Sequence, residues 1–329
     1  MARSRRPRPS MIRRVYPALA LGGLTVAAAG PPAPPAPPAP PATTAFAVRY
    51  HDLVSADRVR ALTALPGATV TFEVADHSPG SGYVARSTAG RIVPLGTGGR
   101  WAWTAPLAPG LYPIQIVAKD GSDSVTLQAF VIVPYDRLEG ELLNGYRIGR
   151  YPDPSRRVPA RYAPPVGFVE VTRENEGVLV SPHFRLGQFL CKQPGARKYV
   201  VLNERLLRAL EYVLERVHTA GYKATTFHVM SGYRTPAYNR AIGNVAYSQH
   251  QWGSAADIFI DENGDGRMDD LNGDGRSDIR DAEVLYRLID AAAARPEGQG
   301  LIGGIGKYAP TAAHGPFVHV DVRSGHARW

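Results

Sequence analysis

Three side chains near the C-terminus have the types and the arrangement to hold one divalent ion. His250 and Asp257 lie seven residues apart in Ser248-Gln249-His250-Gln251-Trp252-Gly253-Ser254-Ala255-Ala256-Asp257, and His319 follows in Phe317-Val318-His319-Val320-Asp321-Val322. Two imidazoles and one carboxylate form a three-ligand zinc set that leaves the fourth tetrahedral position open for water. Water held there ionises near neutral pH and a carbonyl beside it is polarised, so the set predicts metal-assisted hydrolysis. A lone histidine is more often structural, but two histidines and an aspartate on otherwise apolar strands are costly to bury without a metal.

The flanking residues say how the set is presented. Strand alternation puts Phe317, His319 and Asp321 on one face of their segment and Val318, Val320 and Val322 on the other. Asp257 likewise opposes Ala256, Ile258 and Ile260, while Gly253, Ala255 and Ala256 keep bulk away between the first two ligands. Upstream, Leu206, Leu207, Leu210, Val213, Leu214 and Val217 form one apolar stripe, predicting a helix over about 203–220. Residues 226–230 read as a strand, and Thr235-Pro236 as an N-cap and first-turn proline opening a short helix through Ile242. Asp281 is expected to begin a further helix over 282–294. The class predicted for 136–329 is α+β, a mixed or antiparallel sheet carrying helices.

Three separate segments now agree in order: Ser231-Gly232-Tyr233-Arg234-Thr235-Pro236, then Ser248-x-His250-x-x-Gly253-x-Ala255-x-Asp257, then His319-Val320-Asp321. Together they resemble the zinc D-Ala-D-Ala carboxypeptidase family, peptidase family M15, and the tail Phe317 to Trp329 resembles its branch of murein endopeptidases and carboxypeptidases. The resemblance implies a Hedgehog/D-Ala-D-Ala-peptidase-like fold, with His250, Asp257 and His319 as zinc ligands. It implies that Arg234 holds the carbonyl or terminal carboxylate of the substrate. The substrate so implied is the stem peptide or cross-link of peptidoglycan, cut as a D,D- or L,D-carboxypeptidase or endopeptidase.

The sequence departs from the better-known members of that family, which carry an acidic residue or histidine two or three residues before the last zinc histidine. Here those positions are Phe317 and Pro316, which cannot titrate. A base must still take the proton from water. Asp321, on the same strand face as His319, is the first candidate, weighed against the role of a carboxylate that orients a histidine ligand. His314 is the second, weighed against an ordinary loop residue. The missing acid also favours a rival of a different class, a non-catalytic zinc- and calcium-binding protein of the cell envelope that serves binding or adhesion.

An acidic insertion, 261–281, follows the second ligand directly. Counted from Asp270, oxygen ligands fall at loop positions 1, 3, 5, 9 and 12, with Gly275 at 6 and a backbone carbonyl from Arg276 at 7. This is EF-hand-type spacing and resembles the dockerin version, so Asp270, Asn272, Asp274, Arg276, Asp278 and Asp281 are expected to hold calcium. A second register supplies Asp261, Asn263, Asp265 and Asp269 for a second calcium, although its twelfth residue is Asn272. The competing reading is a solvated acidic loop.

The N-terminal half reads differently. Short alternating runs between about 46 and 133, with turn signals such as Asp120-Gly121, predict a small antiparallel sandwich over 45–135. It resembles an immunoglobulin-type bacterial surface domain and is expected to act as a spacer or positioning module. Before it, residues 30–44 are a proline-rich linker whose Pro/Ala run, 31–41, would span roughly 30 Å as polyproline II. Residues 1–29 run from arginines into an apolar stretch ending in small residues, a secretory signal or, uncleaved, an N-terminal anchor tethering the chain to a membrane. Export to the periplasm or cell envelope is expected. The net charge of +9 comes largely from Arg3, Arg5, Arg6, Arg8, Arg13 and Arg14; without them 32 basic residues face 29 acidic ones, a balance of +3. No Lys/Arg run with interleaved aromatics remains, which argues against a nucleic-acid partner. Cys191 is the single cysteine, so no intramolecular disulfide forms, and a buried apolar thiol is expected. Oligomeric state has no signature.

Overall fold

The computed structural model describes residues 42–75, 82–153 and 162–329. The leader expected over 1–29 and nearly all of the linker expected over 30–44 lie outside the described residues.

The alternating runs build two packed sheets from β1 (Thr43–Tyr50), β2 (Leu53–Asp57), β3 (Val59–Ala64), β4 (Thr69–Val74), β5 (Tyr83–Ser87), β6 (Arg91–Pro94), β7 (Arg100–Thr104), β8 (Gly110–Leu111), β9 (Ile114–Ala118) and β10 (Ser124–Val131). One sheet has the order β2-β1-β4-β7-β6, the other β3-β10-β9-β5, with β8 beside β10. Period-two apolarity gives each sheet one inward face. Val48, Phe72 and Trp103 from the first meet Leu62, Ile116 and Leu127 from the second in a shared core. Pro113 has no N–H to give a ladder, and it falls between β8 and β9. The sandwich is not wholly antiparallel: β3 pairs with β10 in parallel, from Val59 beside Thr126 to Ala64 beside Val131. Only Arg58 separates β2 from β3, and there the chain changes sheets without reversing, so β3 arrives in the direction of β10.

Beyond Ile132 come β11 (Val133–Pro134), β12 (Leu142–Leu143), β13 (Tyr146–Arg147), β14 (Gly167–Val171), β15 (Lys198–Val200), α1 (Glu204–Thr219), β16 (His228–Ser231), α2 (Pro236–Ala241), β17 (Ala255–Phe259), α3 (Ile279–Ala293), β18 (Gly304–Tyr308), β19 (Phe317–Asp321) and β20 (Ala327–Arg328). The class is α+β. A five-stranded sheet of order β16-β17-β19-β18-β20 is mixed, because β20 joins β18 in parallel while its other pairs are antiparallel. Ile258, Val318, Val320 and Ile305 join Leu285 and Ile289 of α3 and Leu210 and Val213 of α1 in one core. The stripe read on α1 is the face that is buried. Asn203 caps this helix, accepting from Arg205 N at 3.0 Å and Leu206 N at 3.3 Å. Thr235 caps α2 by accepting from Tyr238 N at 3.0 Å. The third helix starts earlier than expected. Asp278 is its N-cap and Asp281 reaches back to accept from Asp278 N at 2.8 Å, so Asp281 lies inside the first turn rather than before it. Among the described residues no helix is long and apolar enough to cross a membrane. Cys191 is buried.

The sandwich and the α+β part meet along α1. Ala61 N donates to Val180 O at 2.8 Å and Thr63 N to Glu204 Oε1 at 3.0 Å, while Asp57 faces Arg208 at 3.8 Å. His51 Nδ1 lies 3.3 Å from Glu204 Oε2, and His183 Nδ1 lies 2.6 Å from Glu211 Oε2. Hydrogen bonding to these glutamates outweighs partial burial and raises both imidazoles above their ordinary value of 6.5. A raised folded value means the stabilisation is fully present below 6.5 and is lost as pH rises through the folded value. The melting temperature of the metal-loaded chain is therefore expected to fall more steeply between pH 6.5 and 8 than that of a His51→Gln/His183→Gln variant; superimposable profiles contradict this linkage.

Candidate metal centre

Register brings two of the three expected ligands together before any side chain is considered. Asp257 on β17 and His319 on β19 are direct cross-strand partners, in a row that runs Ser231, Asp257, His319, Gly306 across the sheet. Partners in such a row leave the sheet on the same face, opposite the valines and isoleucines that pack on the helices. The third ligand arrives from a 3-10 turn, Gln249–Trp252, ended by Gly253 at φ 62. A Cβ at Gly253 would overlap the Val201 carbonyl, so glycine is required both by its left-handed backbone and by the close approach.

The donor atoms face one another. His250 Nε2 lies 3.2 Å from Asp257 Oδ1 and 3.2 Å from His319 Nδ1, and His319 Nδ1 lies 2.8 Å from Asp257 Oδ1. A tetrahedral zinc with arms of about 2.0–2.1 Å separates neighbouring ligands by roughly 3.3 Å. Calcium, at about 2.3–2.6 Å from its oxygens, needs a wider site and takes no imidazole by preference. Hydrogen bonds fix which nitrogen of each ring is free. The Gly232 carbonyl can only accept, at 2.7 Å from His250 Nδ1, so Nδ1 carries the proton and Nε2 presents its lone pair. Asp321 Oδ2 lies 3.1 Å from His319 Nε2, which therefore donates and leaves Nδ1 as the acceptor. Three buried acceptors thus converge with no hydrogen between them, a set that a cation satisfies.

The titration of the group reflects the same crowding. Burial pushes His250 below its ordinary value. Burial alone would raise Asp257, but His250 and His319 outweigh it and hold the carboxyl well below the usual range. Burial also opposes protonation of His319, yet Asp257 and Asp321 outweigh it and raise that imidazole. In the absence of a cation, one proton on His319 is the remaining way to separate the acceptors.

Arg234 is buried at the edge of this group. Its Nη2 bonds to Asp257 Oδ2, and its Nε donates to Ser231 Oγ at 2.8 Å. The two candidates for general base are placed differently from expectation. Asp321 is fully buried on the far side of His319, away from the converging donors. Its oxygens are taken by His319 Nε2, by Gly304 N at 3.0 Å and by Arg323 Nε at 2.8 Å, contacts that suit the orienting carboxylate weighed for it beside the base role. His314 is half-buried in the loop before β19, with its ring edge-on to Phe317 at 5.0 Å and Nδ1 2.8 Å from the Gly315 carbonyl. It makes no hydrogen bond to the three donors among the described residues.

Sequence reasoning missed the groups that hold Asp321. Arg323 follows Asp321 by two residues, and strand alternation was the signal that could have found it. Gly304 carried no signal: only the cross-strand register places it opposite Asp321, where a Cβ would overlap the carboxylate. Trp329 was also missed as a neighbour; its ring lies 5.3 Å from that of His319, and its Nε1 donates to Tyr308 OH at 2.7 Å.

The acidic insertion folds as two similar turns. Asp270 Oδ2 accepts from Gly275 N at 2.6 Å, Asn272 Oδ1 from Asp274 N at 3.0 Å and Asp274 Oδ1 from Arg276 N at 3.0 Å. The same bonds recur nine residues earlier, from Gly266, Asp265 and Arg267 to Asp261, Asn263 and Asp265. Asp269, not Asn272, closes the first turn, accepting from Glu262 N at 2.9 Å. Two expected calcium ligands are otherwise engaged: Asp278 and Asp281 form the capping box of α3, and Arg280 pairs with Asp274 and Asp278, each at 2.8 Å. Among the described residues, only His250, Asp257 and His319 bring three metal-binding side chains of the His, Cys, Asp and Glu kind within 4.8 Å of one another.

Residues 182–271 match a family model described as Peptidase M15. This segment is similar to peptidase M15. It spans α1, the Arg234 turn, His250 and Asp257, and stops before His319. Peptidase M15 proteins are zinc-dependent hydrolases, and the three-donor geometry just described fits that metal. No curated protein matches the chain at a significant level.

Asp321→Asn separates orientation from base catalysis. As an orienting group, its loss is expected to weaken zinc affinity about 10–100-fold, read by competition with a chromophoric chelator, and Gly304→Ala is expected to act in the same direction. Unchanged zinc affinity with lost turnover would return Asp321 to the base role.

Proposed function

We propose that the chain is an exported zinc metallopeptidase that cleaves peptidoglycan stem peptides or cross-links as a D,D- or L,D-carboxypeptidase or endopeptidase. The observation that carries the metal part is the convergence of His250 Nε2, Asp257 Oδ1 and His319 Nδ1, each with its other polar atoms already committed. Zinc held there supplies an ionised water near neutral pH and a Lewis acid for the carbonyl. The chain's own groups do the rest. Gly232 and Asp321 fix the two imidazole tautomers, and Asp257 is held by Arg234, whose guanidinium is the nearest cation to orient a substrate carbonyl or terminal carboxylate.

The peptidoglycan substrate rests on the resemblance of the three motif segments and the tail to murein peptidases. Export rests on the leader pattern of 1–29, and the domain scheme of 45–135 and 136–329 is supported by a core of the sandwich's own, although Ala61, Phe130, Ile132 and Val133 join the core of the second part. Parallel pairing of an early strand with the last strand of the sandwich supports an immunoglobulin-like reading of the first, and the sheet with helices on one face a Hedgehog/D-Ala-D-Ala-peptidase-like reading of the second. Calcium in the insertion is supported by the repeated aspartate-to-glycine amide bonds of the two turns and opposed by the arginine pairing at Asp274. A calcium-specific chelator is expected to lower the melting temperature while zinc stays bound; an unchanged melting curve removes calcium from the account.

One observation favours the non-catalytic envelope-binding rival: Asp321 bonds the His319 nitrogen that faces away from the converging donors, and His314 makes no hydrogen bond to those donors among the described residues. Digestion of purified murein by the zinc-loaded chain decides between the two. Release of D-alanine or conversion of cross-linked dimers to monomers, abolished in His250→Ala together with zinc binding, is the expected result. Murein binding without any released fragment establishes the rival.

A further inference from the structure

A cavity of about 710 Å³ opens between the start of α1, the end of α3 and the turn after β19. Two of its lining residues neighbour groups of the site: Gln249 immediately precedes His250 in the chain, and Arg323 bonds the Asp321 that bonds His319 from behind. Its charge is one-sided. Arg205, Arg323 and His326 line it, Asn203, Gln249 and Ser254 add amide and hydroxyl groups, and no aspartate or glutamate does. The volume falls within the roughly 300–1,000 Å³ typical of sites for molecules rather than single ions.

Two of the basic groups, Arg323 and Arg205, are held in place. Arg323 donates through Nε to Asp321 at 2.8 Å and lies 5.3 Å over the Trp329 ring, which fixes the plane of its guanidinium. Arg205 donates through Nη2 to the Gly300 carbonyl at 2.6 Å, and its 3.4 Å pairing with Asp52 is largely solvated at both ends. Gln249 is only 7% exposed, its Nε2 donating to Tyr162 OH at 3.1 Å. Fixed donors of this kind recognise carboxylates with little ordering left to do on binding.

We propose that this cavity is a carboxylate subsite, separate from Arg234, that takes an acidic segment of a peptide lying across the metal centre. The inference rests on the metallopeptidase reading for its link to catalysis, but its recognition chemistry does not. The test titrates the full zinc-loaded chain calorimetrically with two N-methylated, hydrolysis-resistant tetrapeptides, one bearing free carboxylates and the other their carboxamides. The carboxylate form is expected to bind at least tenfold more tightly. Arg205→Gln/His326→Gln is expected to abolish that preference while leaving zinc content, melting temperature and carboxamide affinity unchanged, and Arg205→Lys/His326→Gln to restore part of it. Equal binding of the two peptides, no binding of either, or a preference that survives the double substitution overturns the subsite. A preserved preference in a chain that releases nothing from murein removes the peptidase reading and leaves the subsite standing.

Discussion

Three hydrogen-bond acceptors held in mutual contact within a buried site repel one another unless something positive lies between them, and the α+β half of this chain is arranged around that constraint. Each acceptor is pinned from behind. Gly232 holds the first imidazole, Asp321 the second, and Arg234 the carboxylate, so the group cannot relax by turning away. Removing two charges or dipoles from water costs several kcal/mol in the absence of a compensating partner. A zinc ion is the partner for which both the donor set and the spacing of the donors are suited.

The supports form a second layer that is as specific as the ligands. Asp321 is itself buried and ionised because His319 and Arg323 outweigh the effect of burial, and Arg323 is in turn held under Trp329. Glycines keep this layer from clashing: Gly304 leaves room for the Asp321 carboxylate, and Gly306 for the Trp329 ring. The chain between β18 and the C-terminal residues thus acts as one positioning device for a single histidine. The sandwich contributes none of the three donors, but some of its contacts fall on α1, whose first residues also border the cavity at the end of α3.

The three converging donors were legible because they combine two local signals, residue type and strand alternation. His319 and Asp257 could be assigned to faces from the valines and isoleucines around them, and the α1 stripe and its core face follow from spacing alone. Asp321 shows the limit of that reading. Alternation places it on the metal-facing side of the sheet, yet whether a carboxylate two residues along reaches the metal or the back of the ring depends on the Gly304 amide and Arg323, which only the β18 register brings near. In the insertion, spacing shows which carboxylates could face a cation, while the capping bonds of Asp278 and Asp281 at the start of α3 become visible only in the structure. The parallel β3–β10 pair was invisible for a related reason: period-two patterning gives the face of a strand and not its direction.

The most direct test is X-ray absorption at the zinc edge of the full-length chain purified without added metal and reconstituted with one equivalent of zinc. Two imidazoles with oxygen donors at about 2.0–2.1 Å, and the loss of one imidazole contribution in His319→Ala, are the expected result. A sulfur shell near 2.3 Å, an oxygen-only shell, or a spectrum unchanged by the His319 substitution contradicts the assignment of this metal to His250, Asp257 and His319.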